Sequence, residues 1–272
     1  MKKKRIDILL VERGLAESRN RAQRLVMAGE VRAFGEMIHK PSTQVPVDAQ
    51  IEIKARPKYV SRGGKKLEAA LQAFSVMVSG KICADVGAST GGFTDCLLQN
   101  GAERVYAIDV GYGVLHWNLR QDPRVIVMER VNARYLDALP EPVDLVTIDA
   151  SFISLSLILP AVIGWFTSSI GQVIALIKPQ FEAGRKAAAV HAGVIKNHAV
   201  HERVLQATLT DATALGLWPV GLIPSPIQGP KGNVEFLVDL RLAAPEKQID
   251  LDGLVQRALG YIYDEGTDKH PS

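Results

Sequence analysis

The chain has 272 residues, of which 47% are hydrophobic and 22% charged, and its formal net charge is +3. This composition is ordinary for a soluble globular protein and excludes the classes marked by extreme composition. The length allows one sizeable core plus a small module, or two modest domains. Charge is uneven, because residues 1–66 carry a net of +9 and the remainder a net of −6. A small basic module joined to a mildly acidic domain is typical of a nucleic-acid binder attached to an enzyme.

The basic N-terminal part predicts two short helices followed by a short sheet. The first helix has an apolar face through Ile6 and Leu10. Ser18 is placed to cap a second helix, which Gly29 ends. Alternating segments within residues 31–54 then predict three strands. The pattern indicates a small α+β module.

The string from Arg5 to Val31 reads Arg-Ile-Asp-x-x-Leu, then Ser-Arg-x-x-Ala-x-x-Leu-x-x-Ala-Gly-x-Val. It resembles a small RNA-binding module named after a small-subunit ribosomal protein, in which two helices and a short sheet present basic residues to structured RNA. The arginines expected to contact RNA, with one at the domain junction, are Arg5, Arg19, Arg21, Arg24 and Arg62. The alternative is a solvated basic hairpin without a ligand.

A strand, a glycine turn and a helix are predicted around residues 82–98. The turn reads Gly-x-x-x-Gly-Gly, which is neither the dinucleotide fingerprint nor a phosphate loop. The next apolar run ends in Asp109, where a carboxylate would hold the two ribose hydroxyls of a nucleoside. A nucleoside site without a phosphate loop indicates S-adenosylmethionine and methyl transfer. The alternative is a glycine turn that merely joins a strand to a helix.

Four charged residues occupy predicted strand or helix ends that face one rim of a sheet. Lys66 enters the first turn of a helix that Ser61 could cap, Asp149 and Lys178 follow two buried strands, and Glu235 starts another. Open α/β sheets place their active sites at such strand ends. The set suits 2′-O-methylation of ribose, because a lysine held partly neutral can take the proton of a hydroxyl with a high pKa.

Motifs over nearly the whole chain resemble the TlyA/hemolysin-A family. They read Ser-Arg-Gly-Gly-x-Lys-Leu, Asp-Val-Gly-Ala-Ser-Thr-Gly-Gly-Phe-Thr-Asp, Asp-x-Ser-Phe-Ile-Ser, Lys-Pro-Gln-Phe-Glu and Gly-Asn-Val-Glu. Members of that family are similar to ribosomal RNA 2′-O-methyltransferases that modify cytidine. The resemblance implies a tetrad in which Lys178 accepts the proton, Asp149 is its electrostatic partner, and Lys66 and Glu235 position the hydroxyl. Lys66 is preferred to Lys65 because it directly precedes the leucine.

The same resemblance implies a cofactor site on the glycine turn. The residues expected to line the methionine and ribose end of S-adenosylmethionine are Gly87, Ser89, Gly91, Gly92 and Phe93. Asp109 would take the ribose, and Asn132 is a candidate for the adenine.

No metal site is expected from the remaining chemical residues. His198 and His201 are three apart, but no acid or third histidine completes a triad, so exposed histidines are favoured. Cys83 and Cys96 are predicted to be buried, reduced thiols. Residues 182–196 indicate a mobile basic loop that contacts RNA or closes over the site, or is simply solvent-exposed.

No membrane or targeting segment is expected. The basic N-terminus lacks the apolar core of a signal peptide, because charges recur at Asp7 and Glu12. Residues 150–177 are uncharged and long enough to span a bilayer. Pro160 and the polar residues after it divide this run, which favours a helix of about ten residues and a buried strand, Gln172 to Ile177.

Together these features predict an α/β protein: a Rossmann-like sheet of an S-adenosylmethionine-dependent methyltransferase behind a small α+β RNA-binding module. The expected divisions are a module at 1–58, a linker at 59–65, a methyltransferase domain at 66–245, and a terminal helix and tail at 246–272. The expected partner is ribosomal RNA or a ribosomal subunit in the cytoplasm, with no stable protein partner. The alternatives are an RNA-binding protein with an inactive methyltransferase domain and a membrane-active hemolysin.

Overall fold

The computed structural model describes residues 2–54, 57–166, 170–184 and 194–263. Most of the loop expected at 182–196, and the polar tail after residue 263, therefore lie outside the described residues. The chain divides into two compact units, Met1–Lys58 and Tyr59–Ser272.

The first unit contains two helices and two small antiparallel sheets. Helix α1 spans Ile6–Glu12 and α2 spans Arg19–Met27. Ser18 caps α2 as expected, since its hydroxyl oxygen accepts a hydrogen bond from the Arg21 backbone N–H. In one sheet β1 pairs with β4, and in the other β2 pairs with β3 and β5. The strand bounds are β1 Lys3–Arg5, β2 Val31–Ala33, β3 Glu36–Met37, β4 Gln44–Pro46 and β5 Ile51–Ile53.

The first unit buries the carboxylate of Asp7 on α1. The Arg5 guanidinium donates two hydrogen bonds to it, at 2.9 and 3.0 Å, and Arg19 donates a third at 3.1 Å. The Gln23 amide donates a fourth at 3.0 Å. These donors, Arg5 foremost, hold the pKa of Asp7 well below its usual range despite burial. Two of the arginines expected to contact RNA are therefore fixed in place by an internal acid.

The second unit is built on a seven-stranded sheet in the order β11-β12-β10-β9-β6-β7-β8. The strands are β6 Ile82–Val86, β7 Arg104–Asp109, β8 Val125–Glu129, β9 Leu145–Ile148, β10 Gln172–Ile177, β11 Trp218–Pro224 and β12 Phe236–Arg241. The strands from β10 to β8 run parallel, whereas β12 runs antiparallel to both β10 and β11. The amino end of β12 therefore lies beside the carboxyl end of β10.

Successive residues of a strand point to opposite faces of the sheet. Both faces of this sheet carry apolar side chains, and helices pack on each of them. On β6, Ala84 and Val86 belong to one apolar core and Cys83 to the other. Cys83 and Cys96 are both buried, as expected, and neither is part of a disulfide. The helix bounds are α3 Gly63–Ala73, α4 Gly92–Gln99, α5 Trp117–Arg120, α6 Leu159–Ile163, α7 Pro179–Glu182, α8 His198–Ala214 and α9 Leu251–Tyr263. This is the α/β architecture that the sequence predicts.

In the uncharged run 150–177 the expected buried strand is confirmed as β10, whereas the helix is shorter than the ten residues expected. A 3₁₀ turn at Leu155–Leu157 precedes the five-residue α6, and Pro160 lies in the first turn of α6 rather than dividing a longer helix. Proline is favoured there because the first turn leaves its N–H groups without helical acceptors. In the part of the chain that is described, no helix is long and apolar enough to cross a membrane.

Two expected boundaries also differ from the structure. Tyr59, placed in the linker 59–65, is buried in a core of the second unit, and α3 already begins at Gly63. At the other end, α9 packs Val255, Ala258 and Leu259 into the main core. Both segments belong to the second unit because they supply apolar side chains to its interior.

Candidate active site

The glycine turn lies where the order of the sheet changes direction. It follows β6, which is flanked by β7 on one side and β9 on the other. Gly87 has φ +81°, and a Cβ there would lie 2.8 Å from the Asp149 carbonyl oxygen. Only glycine allows the two strand ends to approach this closely. Open α/β sheets bind their ligands at such a crossing point.

Gly87→Ala is therefore expected to lower the free energy of unfolding by more than the roughly 1–2 kcal/mol of a left-handed alanine, and to weaken S-adenosylmethionine binding. Gly80 is a matched control, because it has φ +73° with open space around its Cβ position. Gly80→Ala should show the conformational cost alone. Urea unfolding and calorimetric titration with the cofactor measure both effects, and equal costs at the two glycines would contradict the close-approach argument.

A cavity of about 1250 Å³ opens at these strand ends. Four of the five turn residues expected to hold the cofactor line it, namely Gly87, Ser89, Gly92 and Phe93. The remaining turn residue, Gly91, caps α4 with φ +96°. All four residues of the expected tetrad line the same cavity: Lys66, Asp149, Lys178 and Glu235. The fold thus brings the two expected groups of residues to one place.

Asp109 and Asn132 stand apart from that lining. Asp109 ends β7, and its two carboxylate oxygens accept the backbone N–H groups of Ser89, at 2.8 Å, and Gly111, at 2.6 Å. It is therefore joined to the glycine turn directly. Asn132 is exposed and caps a 3₁₀ turn, accepting the Arg134 backbone N–H at 3.1 Å. Asn132 thus has a structural task beside its expected contact with adenine.

Asp85 is a buried acid that was not singled out from the sequence as a site residue. Its Oδ2 accepts hydrogen bonds from the backbone N–H and the hydroxyl of Thr94, at 2.9 and 2.7 Å. The Thr147 hydroxyl bonds Oδ1 at 3.2 Å. Complete burial raises the pKa of Asp85 to about 7, although these bonds oppose the shift. Asp85 thereby ties the first turn of α4 to the end of β6.

The free energy of unfolding of the wild-type second unit should consequently fall, relative to that of the Asp85→Asn variant, as pH rises from about 4 to 7. In that window the folded state holds the Asp85 proton and the unfolded state, with a pKa of 3.8, has lost it, so raising the pH favours unfolding. Urea unfolding at pH 4 and pH 7.5 measures the difference. All three tryptophans lie in the second unit, so their fluorescence follows this unit alone. A pH-independent difference would contradict the shift.

Lys66 and Glu235 form the first ion pair of the cavity wall. The Lys66 ammonium donates to Glu235 Oε2 at 2.5 Å, and both side chains are almost completely buried. The expected cap by Ser61 is wrong, because Arg62 occupies the N-cap position of α3 and makes no side-chain capping bond. Lys66 is therefore the fourth residue of the helix. The Gln180 amide donates to the other oxygen of Glu235, Oε1, at 3.1 Å. Both oxygens of this carboxylate are thus engaged.

Lys178 and Asp149 form the second pair. Lys178 Nζ lies 2.6 Å from Asp149 Oδ1, 3.1 Å from the Ser151 hydroxyl and 3.4 Å from the Asp149 carbonyl oxygen. Lys178 follows β10 and Asp149 follows the adjacent parallel β9, so the register of the sheet places them together. This pair is the more open one, because 22% of the Asp149 side chain is exposed.

Two further residues near these pairs, Glu182 and Phe152, were not singled out from the sequence as site residues. Glu182, at the end of α7, accepts hydrogen bonds from the Ser154 hydroxyl at 2.5 Å and the Leu155 N–H at 2.9 Å. Burial raises the pKa of Glu182. Phe152 lines the cavity with 89% of its surface exposed and with φ +65°. Strain of this kind in a bulky residue clusters at functional sites. In the sequence, the Asp-x-Ser-Phe motif is the signal that could have indicated Phe152.

The arginines expected to contact RNA fall into two groups. Arg5 and Arg19 are bound to Asp7, whereas Arg21 and Arg24 on α2 form no ion pair with another described residue. Arg62 lies in the second unit, where it is exposed and lines the cavity. Arg21, Arg24 and Arg62 are therefore less constrained than Arg5 and Arg19, although 53% of the Arg19 side chain is still exposed.

The expectation of exposed histidines is wrong for His201. On α8 it is fully buried, with Nε2 3.1 Å from the Ile195 carbonyl and Nδ1 2.9 Å from the Tyr263 hydroxyl. Its apolar surroundings lower its pKa, so the neutral ring joins α8 to α9. His198 is exposed as expected. Among the described residues, no cluster of three His, Cys, Asp or Glu side chains is arranged to hold a metal ion.

The residues present fit S-adenosylmethionine. Gly87 and Gly92 line the cavity without side chains, so the backbone of the turn can approach a ligand closely. Each oxygen of Asp109 accepts one N–H and keeps a lone pair for a ribose hydroxyl. The cavity beside them is large enough for a cofactor and a nucleotide together.

Comparison with known proteins identifies both units. Residues 59–242 match the family of FtsJ-like methyltransferases, and residues 4–51 match the S4 domain. YqxC of Bacillus subtilis (strain 168), named as a candidate rRNA methyltransferase, is 49% identical over 88% of this chain and 86% of its own length. The 16S/23S rRNA (cytidine-2′-O)-methyltransferase TlyA of Mycobacterium tuberculosis is 46% identical over 87% of this chain and 89% of its own.

A solved structure supports the same assignment. A protein named as a hemolysin, from Streptococcus thermophilus, superimposes with a TM-score of 0.71 and 42% identity, covering 99% of this chain and 100% of that one. The chain therefore belongs to the TlyA/hemolysin-A family and is a methyltransferase of the FtsJ-like type, with S-adenosylmethionine as the methyl donor and an S4 domain at its N-terminus.

Proposed function

We propose that this protein methylates the 2′-hydroxyl of a cytidine ribose in ribosomal RNA, in the cytoplasm, and that its first unit docks the RNA. The proposal rests on the two lysine–carboxylate pairs in the wall of the cavity beside the glycine turn. The name of the M. tuberculosis relative supports ribosomal RNA as substrate and cytidine as the target nucleoside.

S-adenosylmethionine supplies an already activated methyl group, so the protein has to orient the ribose hydroxyl and remove its proton. In this reaction Lys178 first gives up one proton of its ion-paired ammonium to solvent, and the resulting amine Nζ takes the hydroxyl proton as the ribose O–H bond breaks. Asp149 Oδ1, at 2.6 Å, then stabilises the ammonium that results. Lys66, fixed by Glu235, donates a hydrogen bond to the hydroxyl oxygen. The exposed ring of Phe152 offers a surface on which an unstacked base can rest.

Transfer of labelled methyl from S-adenosylmethionine to purified ribosomal subunits tests the proposal. The expected product is 2′-O-methylcytidine in 16S or 23S rRNA. Label on a base, or on another ribose, would refute the corresponding part. No transfer with cofactor binding intact would favour an RNA-binding protein with an inactive methyltransferase domain. Cofactor-independent release of liposome contents by the pure protein would favour the hemolysin alternative.

Docking by the first unit predicts that Arg21→Ala/Arg24→Ala weakens ribosomal RNA binding and lowers its salt dependence. Each lost phosphate contact should reduce the slope of log K against log salt by about 0.7–0.9. Filter binding at several salt concentrations measures this slope. Arg203→Ala, an exposed arginine on α8 of the second unit, is the matched control for loss of positive charge. An unchanged slope in the double variant would contradict docking through α2.

A further inference from the structure

The four-residue helix α7 contacts both ion pairs of the cavity. It follows Lys178, which belongs to the pair with Asp149, and its own Gln180 donates to Glu235 of the other pair. Only Pro179 separates these two residues, and the proline ring fixes φ at that point. Consecutive Cα atoms are about 3.8 Å apart, so this short turn sets the spacing between the pairs.

Gln180 is held in one orientation. Gln180 is only 8% exposed, and Glu235 is 1% exposed. The Glu235 carboxylate can only accept, so the amide N–H group of Gln180 faces it and the amide oxygen points away. That oxygen, Oε1, is buried and has no hydrogen-bond partner among the described residues.

The buried oxygen of the Gln180 amide, which is unpaired in the described part of the chain, is unfavourable for the stability of the fold. A buried acceptor without a partner costs roughly 1–3 kcal/mol relative to a satisfied one. Buried groups of this kind in native structures call for an explanation, of which a role in the reaction is one. The geometry supplies such a role, since the donated bond fixes the carboxylate that in turn holds Lys66 at 2.5 Å.

We propose that Gln180 is a positioning residue for methyl transfer, which acts by holding Glu235 and, through it, Lys66. This inference rests on the proposed function and adds a fifth residue to the four expected from the sequence. Gln180 touches neither reacting group; it holds one oxygen of the Glu235 carboxylate, while Lys66 binds the other.

Two substitutions test the proposal. Gln180→Leu removes the donor at every pH and should lower kcat about 10- to 100-fold, the usual effect of losing a hydrogen bond to a charged group. Gln180→Glu should show a loss that depends on pH. At high pH two adjacent carboxylates repel each other, whereas at lower pH a shared proton restores a donor toward Glu235. The ratio of variant to wild-type kcat should therefore rise as pH falls from 9 to 6.

The charged groups that face Glu235 and position 180 come from four elements around the cavity. Besides Glu235, the charged residues that line the cavity are Arg62 and Lys66 at the start of α3, Asp149 after β9, Lys178 before α7, and Lys231 in the turn before β12. All five are present in the wild type and in both variants, so the ratio of the rates isolates the change at position 180.

Gln172→Glu is the matched control. Gln172 is also buried and donates to a buried carboxylate, Asp239, at 3.0 Å, but it lies at the opposite end of β10 from Lys178. A like-charge pair created there should leave the shape of the pH–rate profile unchanged. A purely structural role for Gln180 would make the two Gln→Glu variants behave alike.

The proposal is overturned if Gln180→Leu stays within twofold of wild-type kcat, or if the Gln180→Glu ratio does not change with pH. Absence of transfer by the wild-type protein would instead refute the proposed function. In that case a double-mutant cycle tests the contact between Gln180 and Glu235 directly. It measures the coupling in the free energy of unfolding between Gln180→Leu and Glu235→Gln. Coupling between the two positions supports the positioning contact, and its absence overturns it.

Discussion

Lys178→Met is expected to lower kcat for methyl transfer about 10²- to 10⁴-fold, the range associated with loss of a general acid–base group. Methionine keeps the length and apolar stem of the lysine but carries no proton acceptor. Asp149, the partner left behind, is 22% exposed and can bind water, so the second unit should remain folded. Single-turnover transfer to ribosomal subunits measures the loss, and calorimetric titration should show that the cofactor still binds.

Lys231→Met is the control for removal of positive charge from the same cavity. Lys231 lines the cavity but is exposed and is a lysine without an ion pair to another described residue. Its loss is expected to raise KM for RNA more than it lowers kcat. Equal effects of the two substitutions on kcat would mean that Lys178 acts through charge alone, and more than a tenth of the activity left in Lys178→Met would contradict its role as proton acceptor.

The sheet itself was predictable because its inner strands are buried on both faces. Apolar runs placed one strand at the start of residues 82–98, a second ending at Asp109 and a third at Gln172–Ile177, where the structure has β6, β7 and β10. Parallel strands bring their carboxyl ends to one edge, so Asp109, Asp149 and Lys178 could be expected there as well. This reasoning needs only local sequence and one general rule of topology.

The partners within the site were not predictable in the same way. Lys66 and Glu235 are 169 positions apart, and their pairing depends on where an antiparallel β12 joins the sheet. Gln180 has no charge or periodicity to mark it. For the same reason, the sequence does not indicate that Arg5 and Arg19 both bind a buried Asp7. Long-range contacts between single side chains leave no pattern in one sequence.

Lys66→Met should destabilise the second unit by about 3–5 kcal/mol, because it leaves a buried carboxylate without its cation. Glu235 is 1% exposed and, among the described residues, would keep only the amide of Gln180 as a hydrogen-bond partner. Adding Glu235→Gln removes the charge, and the double variant should regain at least about 2 kcal/mol without regaining methyl transfer. Urea unfolding followed by tryptophan fluorescence measures stability, and methyl transfer to ribosomal subunits measures activity.

This pair of variants separates two tasks of the same ion pair. If Lys66 only stabilised the fold, the double variant would recover activity along with stability. If it positions the ribose hydroxyl, a folded protein without the ammonium stays inactive. Lys65→Met, at the adjacent exposed position, should change stability by no more than about 0.5 kcal/mol and leave transfer intact. A comparable loss of activity in Lys65→Met would mean that Lys66 is not the one lysine at the start of α3 that positions the ribose hydroxyl.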